Sequence, residues 1–384
     1  MKGIDIMKQM SNEKINFKIL IPLFLMAIIS IITIYSALTY TSKSLGNLAL
    51  KQSIWYGIGS ILVLVMLRVK NSFLYRNSLF LYIFGNVLLI LLLLFGTPIN
   101  NSKCWFTIPG VGSIQPSEFM KIFVMLILAR MIHDFRSTYK KPTVLQEFIF
   151  ILKSLVIVLI PSILTFLQPD TGAVIIYLVI YFVMMFASGI RIRWFVLAFL
   201  VIGGILGGIL GIYFFKEELF IDLFGTSIFY RLDRLFDWKN GSGLQLENAL
   251  ASIGSAGLFG HGFNKTPLYF PESSTDFIFA VFASNFGLVG VFVLLGIIIY
   301  FDLNVIRLAK RKIDDTDKYI LAGIVGMLLF QQIQNIGMTV GLLPITGITL
   351  PFISYGGSSL LSYMLLVGIL LNISMEKARV YKYR

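Results

Sequence analysis

The sequence predicts an all-α, polytopic membrane protein with about ten crossings, and two observations carry that expectation. Of 384 residues, 57% are apolar and only 13% charged, against about 25% charged in ordinary soluble domains. The apolar residues also fall in long runs, of the roughly 18 or more residues that a hydrocarbon layer of about 30 Å demands. Lipid is therefore the solvent for most of the chain.

The spans read at 18–39, 49–67, 78–96, 118–133, 146–166, 171–189, 193–214, 276–301, 318–342 and 353–373. Lys8, Lys14 and Lys18 precede the first run as they would in a signal peptide, but that run is too long and lacks a cleavage site. Ten crossings put both termini on one side. With that side in the cytoplasm, 22 of the 32 Lys and Arg residues lie there and nine outside, which is the bias cytoplasmic loops show. The expected topology is N-in, C-in, with residues 1–384 forming one membrane domain. Two outer connections stand out by length, 97–117 and 215–275. The second is rich in Gly, Ser and aromatics and is predicted to fold as a cap. No internal repeat of the kind found in many transporters is visible.

The net charge of +13 does not imply nucleic acid, because the basic residues sit between apolar runs and not in one patch with interleaved aromatics. A single cysteine, Cys104, excludes an internal disulfide, and only His133 and His261 exist to join it in a soft metal site.

Ionisable and polar groups inside spans are costly, so each needs a reason. Glu118 and Lys121 stand three apart on one helical face, where each neutralises the other. Asp170, after Gln168 and Pro169, reads as a helix cap. Gln331, Gln332, Gln334 and Asn335 form a polar patch that interhelical hydrogen bonds would explain. The stretch 341–359 holds proline and glycine at a density that prevents a regular helix, which predicts a re-entrant or cavity-lining loop.

Asp276 stands in Ser273-Ser274-Thr275-Asp276-Phe277-Ile278-Phe279, immediately before a long apolar run. Spacing makes it a first-turn helix residue. The same position suits a general base acting on a lipid-linked substrate beside the large outer loop. The helix dipole would lower its pKa, whereas burial among Phe270, Phe277 and Phe279 would raise it. Both readings stay open on the residues alone.

Five segments, in order along nearly the whole chain, closely resemble the SEDS family (shape, elongation, division and sporulation proteins). They are Ile114 to Lys121 with its Gln-Pro-Ser-Glu-Phe core, Gln168-Pro169-Asp170-Thr171-Gly172, Ile253 to Gly262, Thr275 to Val281, and Gln334 to Ser359 with Pro351-Phe352-Ile353-Ser354-Tyr355-Gly356-Gly357. The resemblance implies a peptidoglycan glycosyltransferase of the bacterial cytoplasmic membrane. It would polymerise lipid II beside a class B penicillin-binding protein, with a divalent cation (Mg or Mn) as the candidate cofactor. Asp276 would be the catalytic base. The expected substrate-binding residues are Trp105, Gln115, Ser117, Glu118, Lys121, Asp170, Arg231, Arg234, Thr275, Ser354, Tyr355, Gly356 and Ser358, and no metal ligand is assigned. Lys121, Arg231 and Arg234 are the cations expected to face the pyrophosphate leaving group.

Three places depart from the family pattern. Ser274 stands where His is common, Ser284-Asn285 replaces a Glu-Glu pair, and Glu247-Asn248 replaces Gln-Ser. Two acidic groups are thereby expected to be missing beside the site. A lipid II flippase, which broken helices would also serve, and a scaffold for cell-wall enzymes are the rival readings.

Overall fold

A computed structural model describes residues 16–37, 47–96, 103–108, 112–226, 228–230, 244–310 and 314–380. Among them the chain is almost wholly helical: α1 (Phe17–Ala37), α2 (Leu48–Val69), α3 (Asn71–Arg76), α4 (Ser78–Phe95), α5 (Pro116–Thr138), α6 (Val144–Phe166), α7 (Thr171–Ala187), α8 (Ile192–Phe215), α9 (Glu217–Phe224), α10 (Leu244–Gly254), α11 (Ile278–Ala309), α12 (Asp315–Thr339) and α13 (Gly357–Val380). In lipid every backbone polar group must be satisfied within the protein, which is why apolar runs become helices. A short hairpin, β1 (Phe106–Ile108) and β2 (Gly112–Ile114), pairs antiparallel in the 97–117 connection.

Among the described residues eight helices are long and apolar enough to cross a bilayer. The other two expected spans are present as helices of different character. α7 is only 17 residues long, and α5 carries Glu118, Lys121, Arg130, Asp134 and Arg136. α5 packs against α4, α6, α7, α12 and α13, and every residue from Met120 to Ala129 except Phe123 is buried. It keeps its charges because protein, and not lipid, surrounds it. α8 is the opposite case: its apolar window has no buried residue.

The span expected at 276–301 is corrected in two ways. The helix begins at Ile278 with Phe277 as its N-cap, so Asp276 precedes the first turn. The helix also breaks at Gly287 (φ 62°, ψ −163°) and folds back. Asn335 of α12 donates to the Asp276 carbonyl, and Gln332, one turn earlier, donates to Asp302. A straight helix would hold those two aspartates roughly 39 Å apart at about 1.5 Å per residue.

The break is closed by the segment after α10. His261 N–H and Gly262 N–H donate to the Ser284 and Asn285 carbonyls (2.9 and 3.1 Å), and Leu288 N–H and Val289 N–H donate to Gly257 and Leu258 (3.1 and 3.0 Å). A helix break orphans backbone groups on both sides, and these four bonds satisfy them. The two backbones touch: a Cβ on Gly287 would lie 2.3 Å from Gly260 N, and one on Gly260 would lie 2.2 Å from Asn285 O. This contact explains the glycines of the Ile253–Gly262 segment.

From Gly341 to Gly356 the chain is irregular, as its prolines and glycines predict, and its second half is buried, with Ile348, Leu350 and Ile353 at 3%, 1% and 0% exposure. Polar side chains hold it. Ser30 Oγ donates to Ile353 O (2.7 Å), the Tyr56 hydroxyl to Phe352 O, Gln52 Nε2 to Ser354 O (3.2 Å), and Gln334 Nε2 to Pro344 O (2.8 Å).

Candidate active site

The Asp276 segment is a turn tied to that loop. Thr275 N–H and Phe277 N–H both donate to Glu272 O (3.2 and 3.0 Å), which winds the backbone around Glu272. Ser354 Oγ donates to Thr275 O (2.6 Å), and Tyr355 N–H donates to Ser274 O (2.9 Å). Asn335 Nδ2 donates to Asp276 O and also to Ile348 O, each at 2.8 Å. Gly347 (φ 70°) faces the carboxylate: a Cβ there would stand 3.5 Å from Asp276 Oδ2.

Asp276 is half-buried as a residue. Its carboxylate has no hydrogen-bond donor among the described residues. Burial, reinforced by the negative charge of Glu272, pushes its pKa up to about 7. Phe277, next to it in sequence, and Phe270, just before the turn, are both buried, with ring centroids 6.2 Å apart. Of the two opposed effects weighed from sequence, burial wins, partly because Asp276 sits outside the first helical turn. A carboxylate that titrates near neutrality is half in its basic form at pH 7, which is the poise a general base needs.

A second acid lies close to the same loop. Asp170 caps α7 by accepting from Ala173 N–H (3.1 Å). Its other oxygen accepts from Gln115 Nε2 and Ser117 Oγ, each at 2.9 Å. Ser358 Oγ accepts from Gln115 N–H (2.9 Å), so the start of α13 joins this corner. A Cβ on Gly172 would meet Thr346 O at 3.2 Å and Ile348 at 3.1 Å. The loop around Gly347 thus reaches both the Asp170 corner and the Asp276 carboxylate.

Other expected residues fall as follows. Lys121 Nζ is 2.6 Å from Glu118 Oε2; Lys121 is 1% exposed and lies over the Tyr363 ring. Thr275 Oγ1 donates to Glu272 Oε2 (2.6 Å). Trp105 is half-buried just before β1, and Tyr355 and Gly356 are half-buried before α13. Arg231 and Arg234 lie outside the described residues. Among the described residues no three His, Cys, Asp or Glu side chains gather; Mg or Mn usually needs only one or two carboxylates together with substrate phosphates.

Of the departures from the family pattern, Ser274 stands in the Asp276 turn itself, its carbonyl held by Tyr355 N–H, whereas the other two are placed away from Asp276. Asn285 donates to Ser36 Oγ and accepts from Thr266 Oγ1 (3.0 Å), about 13 Å along the helix from Asp276. The missing acids are therefore not beside the site. Asn248 Nδ2 donates to Tyr269 O (2.7 Å), and Glu247 is exposed.

Sequence reasoning missed Glu272, Ser30, Gln52 and Tyr56. Gln52 left a signal, a buried amide inside an apolar run. Glu272 left none beyond its place in a Pro-Glu-Ser-Ser turn.

Comparison with known proteins supplies the rest. The chain is 35% identical over 342 residues to a protein named probable peptidoglycan glycosyltransferase FtsW of Coxiella burnetii, covering 85% of this chain and 86% of that one. It is 32% identical over 366 residues to stage V sporulation protein E of Bacillus subtilis, covering 91% and 94%. The crystal structure of the rod shape determining protein RodA of Thermus thermophilus superposes with a TM-score of 0.67 at 26% identity, covering 94% of this chain and 97% of that one. A chain of a peptidoglycan synthase complex shares the fold, with a TM-score of 0.77 at 24% identity over 95% and 98%. The family model described as a cell cycle protein, FtsW/RodA/SpoVE, matches residues 17–379, and the protein is a member of that family, the one its motifs resemble.

Proposed function

We propose that this membrane protein is a peptidoglycan glycosyltransferase that polymerises lipid II at the outer face of the bacterial cytoplasmic membrane, with Asp276 as its general base. The observation that carries the reading is a half-buried carboxylate without hydrogen-bond donors among the described residues, poised near pH 7 and facing an exposed glycine. Family membership and relatives named as glycosyltransferases supply the reaction class.

The 4-hydroxyl of the acceptor GlcNAc would give its proton to Asp276 as that oxygen attacks the anomeric carbon of the donor MurNAc. The bond to undecaprenyl pyrophosphate breaks, with inversion to a β-1,4 link. Gly347 leaves room for the hydroxyl beside the carboxylate, since any side chain there would occupy that approach. The similarity to a chain of a peptidoglycan synthase complex is consistent with work beside a class B penicillin-binding protein.

The test is purified protein with its penicillin-binding partner and lipid II, scored for glycan chains. Wild type is expected to make polymer and Asp276→Asn to lose about 10²–10⁴-fold in rate, the usual worth of a general base. Equal polymer from both removes Asp276 from the chemistry. Lipid II crossing liposomes with no polymer from either would establish a flippase instead.

A further inference from the structure

The amide of Asn335 does more than bury a polar patch. It sits in α12, fully buried at 0% exposure, and its Nδ2 bridges two carbonyls that belong to separate parts of the chain. One is Asp276 O, in the turn that presents the carboxylate; the other is Ile348 O, next to Gly347, which faces that carboxylate. Both neighbours are acceptors, so the network fixes the amide with its nitrogen toward them. The cost of this choice is visible, because Asn335 Oδ1 is left buried without a partner. The neighbouring Gln334 grips Pro344 of the same loop.

We propose that Asn335 is a positioning residue for the glycosyl transfer: it sets the spacing between the Asp276 carboxylate and the Gly347 backbone, and so the slot in which the acceptor hydroxyl is deprotonated. The inference rests on the reading of Asp276 as the base. Ser354 and Tyr355 secure Thr275 and Ser274, but of these three residues Asn335 alone ties Asp276 itself to the opposite wall of the slot. A misplacement on the order of 1 Å is worth about 10²-fold in rate for groups that must meet in a near-attack geometry.

The experiment measures kcat and KM for lipid II against pH, with the partner protein present, for wild type, Asn335→Leu, Asn335→Asp and Asp276→Asn. Asn335→Leu keeps the approximate volume and removes both donors. Its kcat is expected to fall about 10–10²-fold while KM stays within about twofold, because the slot meets only the reacting hydroxyl of a much larger lipid-linked substrate. Asn335→Asp preserves the shape, replaces the donors by a carboxylate close to Asp276, and serves if the leucine variant does not accumulate. Added negative charge raises the pKa of Asp276, so its acid limb is expected at higher pH than in wild type, along with a lower plateau. A purely structural role would lower the amount of folded protein and leave kcat of the remainder unchanged, in Asn335→Leu and at the pH plateau of Asn335→Asp alike, which overturns the proposal. So would full kcat in Asn335→Leu while Asp276→Asn is inactive. Activity in Asp276→Asn would instead remove the base reading on which the proposal stands.

Discussion

Asp170 and Asp276 both lie close to the loop around Gly347 and are built to opposite ends. Asp170 accepts three hydrogen bonds, from Ala173 N–H, Gln115 and Ser117, so its charge is spent holding α5, α7 and the intervening turn together. The Asp276 carboxylate has none among the described residues, and the nearest charge that acts on it is another carboxylate, Glu272. Hydrogen bonds to a carboxylate stabilise its charged form, whereas burial and like charge disfavour it. The pair therefore separates two uses of a buried acid: as a structural tie and as a proton acceptor.

The largest effects test this contrast directly, through stability. Asp276 titrates near 7 in the folded protein against an ordinary value of 3.8. Below about pH 4 both folded and unfolded forms are protonated and the side chain costs nothing. Between about 4 and 7 the unfolded chain gives up its proton while the folded one keeps it, so stability falls as pH rises, and the full cost persists above 7. Asp276→Asn, which cannot ionise, is expected to be inactive yet more stable than wild type by about 2–4 kcal/mol above pH 7, with no gain at pH 4. Asp170→Asn is expected to go the other way at pH 7, losing about 1–2 kcal/mol as an amide nitrogen confronts the donors of Gln115 and Ser117. Thermal unfolding in detergent across pH reads both, and shifts of equal sign would erase the distinction.

A smaller effect is expected at the loop that reaches both acids. Gly347 has φ 70° and stands where a Cβ would be 3.5 Å from Asp276 Oδ2. An alanine must adopt the left-handed region at a cost of roughly 1–2 kcal/mol, and its methyl fills the approach to the carboxylate. Gly347→Ala is expected to lose that much stability and about 10-fold in kcat, with a limb in the pH profile no lower than in wild type. A full rate would mean that the acceptor comes from another side.

How far the sequence foretold this contrast differs for the two acids. The Asp170 cap was legible because capping is local: the acid, the following turn and the helix lie within a few residues. Asp276 was legible as an acid at a helix start, but not as one set apart from the first turn. The reason is the turn in which Thr275 N–H and Phe277 N–H both bond to Glu272 O. Gly287, which inside an apolar run reads as a tolerated helical glycine, likewise hides that α11 folds back against the Gly257–Gly262 segment. Long-range partners set the rest. Asn335 was visible as a polar residue in a span, but its two carbonyl acceptors lie 59 and 13 residues away in sequence. The irregular loop at 341–356 was legible because proline and glycine forbid the helix whatever surrounds them.

Glu272 carries the smallest expected effect and the sharpest test of how the two acids differ. It is exposed, anchored by Thr275 Oγ1 at 2.6 Å, and its charge adds to burial in raising the pKa of Asp276. Glu272→Gln keeps an amide oxygen for Thr275 to bond and removes the charge. Burial is the larger cause and remains, so the acid limb of kcat is expected to move to lower pH by under about one unit. At neutral pH more of the base is ionised but each carboxylate is intrinsically weaker, so kcat changes by no more than about twofold. A limb that does not move assigns the poise of Asp276 to burial alone. A limb that drops to the ordinary carboxylate range would instead make Glu272 the dominant influence, and the absence of donors around Asp276 would no longer be what distinguishes it from Asp170.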